Sequence, residues 1–374
     1  MIKKGYYFIN TDVYNKRAHS IQITHTIEAI NNRNGIEFSL VAPLYNKNLE
    51  TKQIFSYYGI EKKFNVFFIE NFLIKKPGRL SFIIYTILSI GKLINLKFKR
   101  NLDFIYFRSE YFLPLALVAK ILGISYYYEI HRKGTTKKSE VFKIFLAKYA
   151  TGLITISKQL ADFYIKFNKN VVVAHDAVDF IKFNIDIYKE AARKKINLLS
   201  EGLIFLYVGS INKIKGVDII IRNANRFPQV DFYLVGNIDE VMHKYLEKYK
   251  TNNIYVQGQI DNSLVPYYLK AADLLILPHV DNVQSQSPMK LFEYLASGTP
   301  ILSSDLPNIK EVLLEGEAIF FKQSDDKDFC DSLHYFINNA NKYIDNKSLR
   351  IEKAQKYSWE NRGILISNFL LNSK

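Results

Sequence analysis

The feature that most limits what this chain can fold into is an alternation, run twice, of short apolar segments with segments long enough for a helix. It begins GYYFIN, residues 17–32, IEFSLVAP, continues as DFIYF, 111–122, ISYYYEI, and then as GLITIS, 158–166, NVVVAH. Strands that are apolar along most of their length, separated by helix-length crossovers, belong to parallel sheets covered on both faces. From about residue 202 the pattern restarts with LIFLYVG, a helix from about 217 to 226, VDFYLVG, a helix across 239–250, NIYVQG, a helix across 263–272, and DLLILP. With 374 residues the chain exceeds one typical core. The expectation is therefore α/β, with two Rossmann-like parallel-sheet domains facing each other across a cleft. We place them at 1–180 and 181–355, with a helix over about 356–374 packing back on the first. The charged stretch FIKFNIDIYKEAARKKINLLS at 180–200 reads as a linker.

Charge narrows the partners. The chain has 51 basic and 36 acidic residues, a net charge of +15, which calls for an anionic partner. Lys75, Lys76 and Arg79 precede the apolar run LSFIIYTILSI at 80–90, and Lys92, Lys97, Lys99 and Arg100 follow it. An apolar helix bracketed by cations suits an anionic membrane surface, and it also describes a core helix with solvated ends. At eleven residues the run falls short of the roughly 20 that span a bilayer, so no crossing helix is expected. No zinc-finger, ribonucleoprotein or basic-zipper signature is present, and nucleic acid is not an expected partner. The opening MIKKGYYFINT runs straight into a strand, so no export signal is expected. Cys330 is the only cysteine, which excludes an intramolecular disulfide and any multi-cysteine metal site. A cytoplasmic protein, peripheral on the inner face of the membrane, is the expectation.

The stretch SPMKLFEYLASGTPILSSDLP at 287–307 is the most informative. Ser287 suits an N-cap, Pro288 the first helical position and Gly298 the C′ position of a helix over 288–298. TPILSS follows as a strand and DLLILP precedes it, so the loop HVDNVQSQ at 279–286 lies at a strand's carboxyl end, where parallel sheets bind ligands. Lys290 and Glu293 are three apart and share a face. They read either as an exposed ion pair or as a cation and a carboxylate for a phosphate and paired ribose hydroxyls. A second loop, VGSINKIKG at 208–216, leaves the first strand of the second domain with Lys213 and Lys215 between Gly209 and Gly216, a composition suited to a diphosphate. The turn after the first strand, NTDVYNKRAHS at 10–20, has no G-x-G-x-x-G, so a nicotinamide or flavin cofactor is not expected.

With these residues in view, the chain resembles the retaining glycosyltransferases of family four, which have the GT-B fold. The resemblance covers nearly the whole chain and rests on YVGSINKIKGVD, on the run from AADLLILP through SPMKLFEYLASGTPILSSDLPNIKEVL, on ITISKQL at 154–160 and on VVVAHDAVDFIKF at 171–183. It implies that Glu293 is the second of a pair of glutamates and binds the ribose. Ser285 stands at the first glutamate's position and is assigned only to the donor pocket. Lys215 falls on the lysine that neutralises the diphosphate. Ser210 stands where an arginine is common, so Lys213 or Lys290 supplies the missing charge. In YYYEIHRKG at 126–134, His131 falls on the histidine that faces the donor sugar and its phosphate. The resemblance thus assigns His131, Lys215 and Glu293 to catalysis. Gly209, Ser210, Lys213, Ser285, Gln286, Ser287, Lys290 and Leu291 go to the donor, and Arg17, His19, Arg108 and Glu110 to the acceptor.

The implied reaction moves a hexose from a nucleotide diphosphate sugar to a lipid-linked saccharide or polysaccharide, with retention and with neither cofactor nor metal. A GT-B sugar-nucleotide epimerase and a non-catalytic sugar-binding protein are the alternatives.

Overall fold

In a computed structural model of the chain, residues 2–14, 18–45, 51–70, 78–198, 202–249, 251–280 and 289–373 are described. They form two compact units, Met1–Asp176 with Trp359–Lys374, and Ala177–Ser358. The first unit contains β1 (Lys3–Phe8), β2 (Ile36–Pro43), β3 (Val66–Ile69), β4 (Phe104–Phe107), β5 (Ser125–Ile130), β6 (Gly152–Thr155) and β7 (Val171–Val173). The second contains β8 (Leu203–Val208), β9 (Val230–Val235), β10 (Ile254–Gln257), β11 (Leu274–Leu277), β12 (Ile301–Ser304) and β13 (Ile319–Phe321).

Both sheets are parallel, with orders β3-β2-β1-β4-β5-β6-β7 and β10-β9-β8-β11-β12-β13. The strand order reverses between β1 and β4 in the first unit and between β8 and β11 in the second, and each reversal opens a crevice at the strands' carboxyl ends. Candidate residues of both units gather at these two points.

The first unit's core is unusually rich in tyrosine, with Tyr7, Tyr106, Tyr127 and Tyr128 all under 3% exposed. A buried phenol has to place its hydroxyl. Tyr85 donates to the Val41 carbonyl at 3.1 Å and Tyr126 to that of Leu146 at 2.9 Å, whereas Tyr7 and Tyr106 turn to a side chain, Glu129.

Two expectations need correction. Residues 180–198 are no free linker: helices Phe180–Phe183 and Lys189–Lys195 belong to the second unit, where Lys189 and Arg193 bind Asp273 at 2.6 and 2.8 Å. Their charges make tertiary ion pairs that composition could not reveal. The apolar run at 80–90 is part of a twenty-residue helix, Arg79–Phe98, long and apolar enough by length and composition to cross a membrane. Gly91 and Lys92 do not stop it, because a single glycine costs only about 1 kcal/mol and Tyr85, Leu93 and Leu96 anchor the helix in the core. Its opposite side leaves Leu80, Ile83 and Ile87 more than half exposed.

Candidate active site

In the second unit the loop after β8 makes a short turn, Lys213–Lys215, capped by Asn212, whose Oδ1 accepts from the Lys215 amide at 3.0 Å. Gly216 follows at φ +72°, and a Cβ there would lie 1.8 Å from the Pro278 carbonyl oxygen. The loop is thus pressed onto the end of β11 at a place only glycine fits. This puts the Lys215 ammonium 3.5 Å from Nε2 of His279. Among the described residues no carboxylate pairs with Lys215, and burial lowers its pKa. Lys213 and Ser210 are exposed beside it. The helix that follows, Asp218–Asn223, has only six residues and carries Asp218 in its first turn, so the loop's positive character comes from lysine.

His279 was not anticipated. It is 3% exposed, and its Nδ1 has no hydrogen-bond partner. With Nε2 accepting from Lys215, Nδ1 carries the proton and is left without an acceptor. Burial first, and then the Lys215 charge, push the imidazole pKa down to about 3, so it is neutral at pH 7. Its place directly after Pro278, one residue past β11, was the available signal.

The helix Met289–Ser297 lies at the same end of the sheet, ended by Gly298 at φ +71°. Its Tyr294 hydroxyl accepts from the Val208 amide at 2.9 Å, which ties it to the strand that leads to Gly209. Lys290 donates to Oε2 of Glu293 at 2.6 Å, an i,i+3 ion pair with side chains 29% and 13% exposed. Such pairs contribute only about 0.2–0.5 kcal/mol, and a carboxylate keeps further lone pairs for a ligand. Leu291 is 1% exposed with its side chain in the core, so in the helix's first turn only its backbone amide is left for a donor. Ser285, Gln286 and Ser287 lie outside the described residues, as do Pro288 and Arg17.

In the first unit, the reversal between β1 and β4 gathers a polar cluster around Glu129, which is 1% exposed. Its Oε2 accepts from Tyr7 and Tyr106, both at 3.0 Å. Its Oε1 accepts from His131 Nε2 at 2.9 Å, from Gln22 at 3.2 Å and from Arg362 at 2.5 Å. Burial would raise the Glu129 pKa, but His131 and Arg362 overcome it and hold the carboxyl ionised far below the usual range. Gln22 also donates to Asp176 at 2.9 Å and accepts from Arg108 at 2.7 Å. The structure therefore brings His131 and Arg108 together. His19 stands apart, 3.1 Å from the Thr11 hydroxyl. Glu110 belongs to a separate cluster, with Lys143 at 3.3 Å and the Ser139 hydroxyl at 2.8 Å. Its carboxylate serves the framework there, because the 3%-exposed Lys143 requires a counter-charge. Gln22, Glu129, Asp176 and Arg362 escaped the sequence reading, since the four lie far apart in the chain.

Two Rossmann-type parallel sheets in one chain, each with candidate residues at its point of strand reversal, define the GT-B class. Solved structures agree on the fold: sucrose-phosphate synthase from Thermosynechococcus elongatus aligns at a TM-score of 0.79 over 99% of this chain and 98% of its own, with 14% identity. Anabaena HepE in complex with UDP and glucose aligns at 0.75 over 99% and 100%, again with 14% identity. Residues 188–356 match the family described as Glycosyl transferases group 1, a stretch that holds Lys215, His279, Lys290 and Glu293. That stretch is nearly the whole of the second unit. Among curated relatives, a Bacillus subtilis glycosyltransferase named for teichuronic acid biosynthesis is 26% identical over 38% of this chain and 36% of its own length. The processive diacylglycerol alpha-glucosyltransferase of Acholeplasma laidlawii is 24% identical over 50% of this chain and 57% of its own. The chain thus spans about a third to just over half of the length of these relatives.

Proposed function

We propose that the protein is a retaining glycosyltransferase that moves a hexose from a nucleotide diphosphate sugar to a lipid-linked or polysaccharide acceptor. The observation that carries this reading is Lys215: a half-buried ammonium with no carboxylate partner among the described residues, at the strand reversal of the unit that matches the Glycosyl transferases group 1 family. A cation held this way is stabilised by an arriving anion, and a diphosphate leaving group is such an anion. As the glycosidic bond breaks, negative charge grows on the departing phosphate, and a fixed donor there is worth about 2.7–4 kcal/mol of barrier. Glu293 accepts from the ribose hydroxyls, and its weak pair with Lys290 yields readily to them.

The acceptor side of the proposal places the enzyme on an anionic membrane at its cytoplasmic face. The outward side of helix Arg79–Phe98 supports this, with exposed Leu80, Ile83 and Ile87 near Arg79, and Lys99 and Arg100 beyond its other end. The name of the Acholeplasma relative, a diacylglycerol glucosyltransferase, fits a lipid acceptor.

The test is release of nucleotide diphosphate from a panel of sugar nucleotides, with and without a membrane lipid extract. Turnover that requires the extract and disappears in Lys215→Ala supports transfer. Turnover of the sugar nucleotide without any acceptor would instead indicate an epimerase. Sedimentation with phosphatidylglycerol vesicles, absent with phosphatidylcholine, tests the membrane face.

A further inference from the structure

The second unit holds another cation without a counter-charge, at the opposite end of its sheet from Lys215. Lys270 sits in the last turn of the helix Val265–Ala271, just ahead of β11, and so lies at the strands' amino ends. It is 8% exposed and makes no hydrogen bond or ion pair among the described residues, yet its ammonium is not sealed off, so an ion can reach it. Burial first, and then the charge of Lys347, push its pKa down to about 8, while the exposed Asp186 acts the other way without pairing with it. The turn Gly298–Thr299 holds the two lysines' elements together. Thr299 Oγ1 donates to the Leu269 carbonyl at 2.8 Å, and a Cβ on Gly298 would come 2.8 Å from Lys347 Cγ. Lys347 opens the ten-residue helix Lys347–Lys356, where a cation has the wrong sign for the helix dipole. That helix has no acid in its first turn, and Asn346 gives it no side-chain cap. The carbonyls that end the preceding helix do not offset this, since Arg350 takes that of Tyr343 and the Asn346 amide that of Ile344. Arg350 is fully buried and bonded to carbonyls, and Glu317 is committed to Lys353 at 2.7 Å.

We propose that Lys270, Lys347 and the first-turn amides of helix Lys347–Lys356 form a binding site for a phosphate group, separate from the diphosphate loop around Lys215. An ammonium held out of water is stabilised by an arriving anion. A helix start supplies N–H groups that point at such a ligand, and phosphate has enough acceptor oxygens to meet them and both lysines at once. The two anomalies, a buried unpaired ammonium and a cation at a helix start, are then relieved by one ligand. The site needs no sugar nucleotide and stands whether or not the glycosyltransferase reading does.

The experiment is thermal unfolding and calorimetry of the full chain at pH 7 in a Lys215→Ala background, which removes the cation of the donor loop, with inorganic phosphate against sodium chloride of equal ionic strength. Phosphate should raise the melting temperature, and chloride should not. Lys270→Met removes an unpaired buried charge, so it should melt higher than its parent without phosphate and lose the response to phosphate. Lys347→Ala, at an exposed position, should fold as its parent does and weaken phosphate binding by roughly 10-fold or more, the worth of a hydrogen bond to a charged group. An equal response to chloride, or a phosphate response unchanged in either variant, overturns the site. A lower melting temperature of Lys270→Met without phosphate would show that the ammonium is already satisfied within the fold, and overturns it too. Glycerol phosphate binding at least as tightly as inorganic phosphate supports the site with a phosphate ester as its ligand, and weaker binding supports it with free phosphate.

Discussion

The two units have the same topology at their points of strand reversal and opposite electrostatics. In the first, five donors converge on one buried carboxylate, and every member of the Glu129 cluster has a partner. In the second, Lys215 has only the neutral imidazole of His279 to donate to, with no carboxylate among the described residues, and His279 Nδ1 has no partner. The first arrangement is complete without a ligand and therefore rigid. The second is completed only by an anion, which makes it a binding site at the expense of stability. A satisfied network holds a functional group in place, and an unsatisfied one selects what it binds.

The comparison breaks most visibly at Arg362. Arg362→Ala leaves Glu129 buried without the guanidinium bonded to it, and denaturant unfolding should show a loss of about 3–5 kcal/mol. A loss below about 1 kcal/mol would mean that the cluster is not the closed unit described. Lys215→Ala should do the reverse, leaving stability nearly unchanged while kcat falls by about 10²–10³-fold. Steady-state kinetics beside a melting curve separate the two. Next in size, Glu293→Gln should weaken nucleotide diphosphate binding by about 1.5–3 kcal/mol in calorimetry, the worth of a hydrogen bond to a charged group. Equal affinity would return Glu293 to the role of an ion-pair partner for Lys290.

The smallest effect sharpens the contrast. His279→Leu removes an orphaned donor and should stabilise the ligand-free protein by about 1 kcal/mol while weakening diphosphate binding. Its pH dependence has a definite sign. The folded imidazole titrates near 3 and the unfolded one near 6.5, so between these values the unfolded chain holds the extra proton. Stability then falls as pH drops from about 6.5 towards 3, and the leucine variant should show a flatter decline over that window. Parallel acid-unfolding curves for the two proteins would rule this out.

Much of this was legible in the chain. The strand IEFSLVAP appears at the residues read for it, Ile36–Pro43, and the helix before Gly298 ends where the glycine predicts. Short apolar strands and glycine stops are local signals. Helix Arg79–Phe98 was read too short because its second half is held by packing of Leu93 and Leu96 and not by composition. Leu291 lies on the buried side of its helix, as a run of apolar residues at helical spacing predicts. The Lys290–Glu293 ion pair forms as the plainest reading had it, but part-buried and not exposed.

By itself, then, the sequence determined the parallel α/β class, the repeat of that pattern, and the lysine–glycine loop and the Lys290–Glu293 helix face, because each is written in neighbouring residues. Only the tertiary structure decided that residues 22, 108, 129, 131, 176 and 362 share one network, and that His279 faces Lys215 across 64 positions. Whether a buried charge is satisfied or orphaned depends on what folding brings beside it, and those partners come from distant strands and a returning helix.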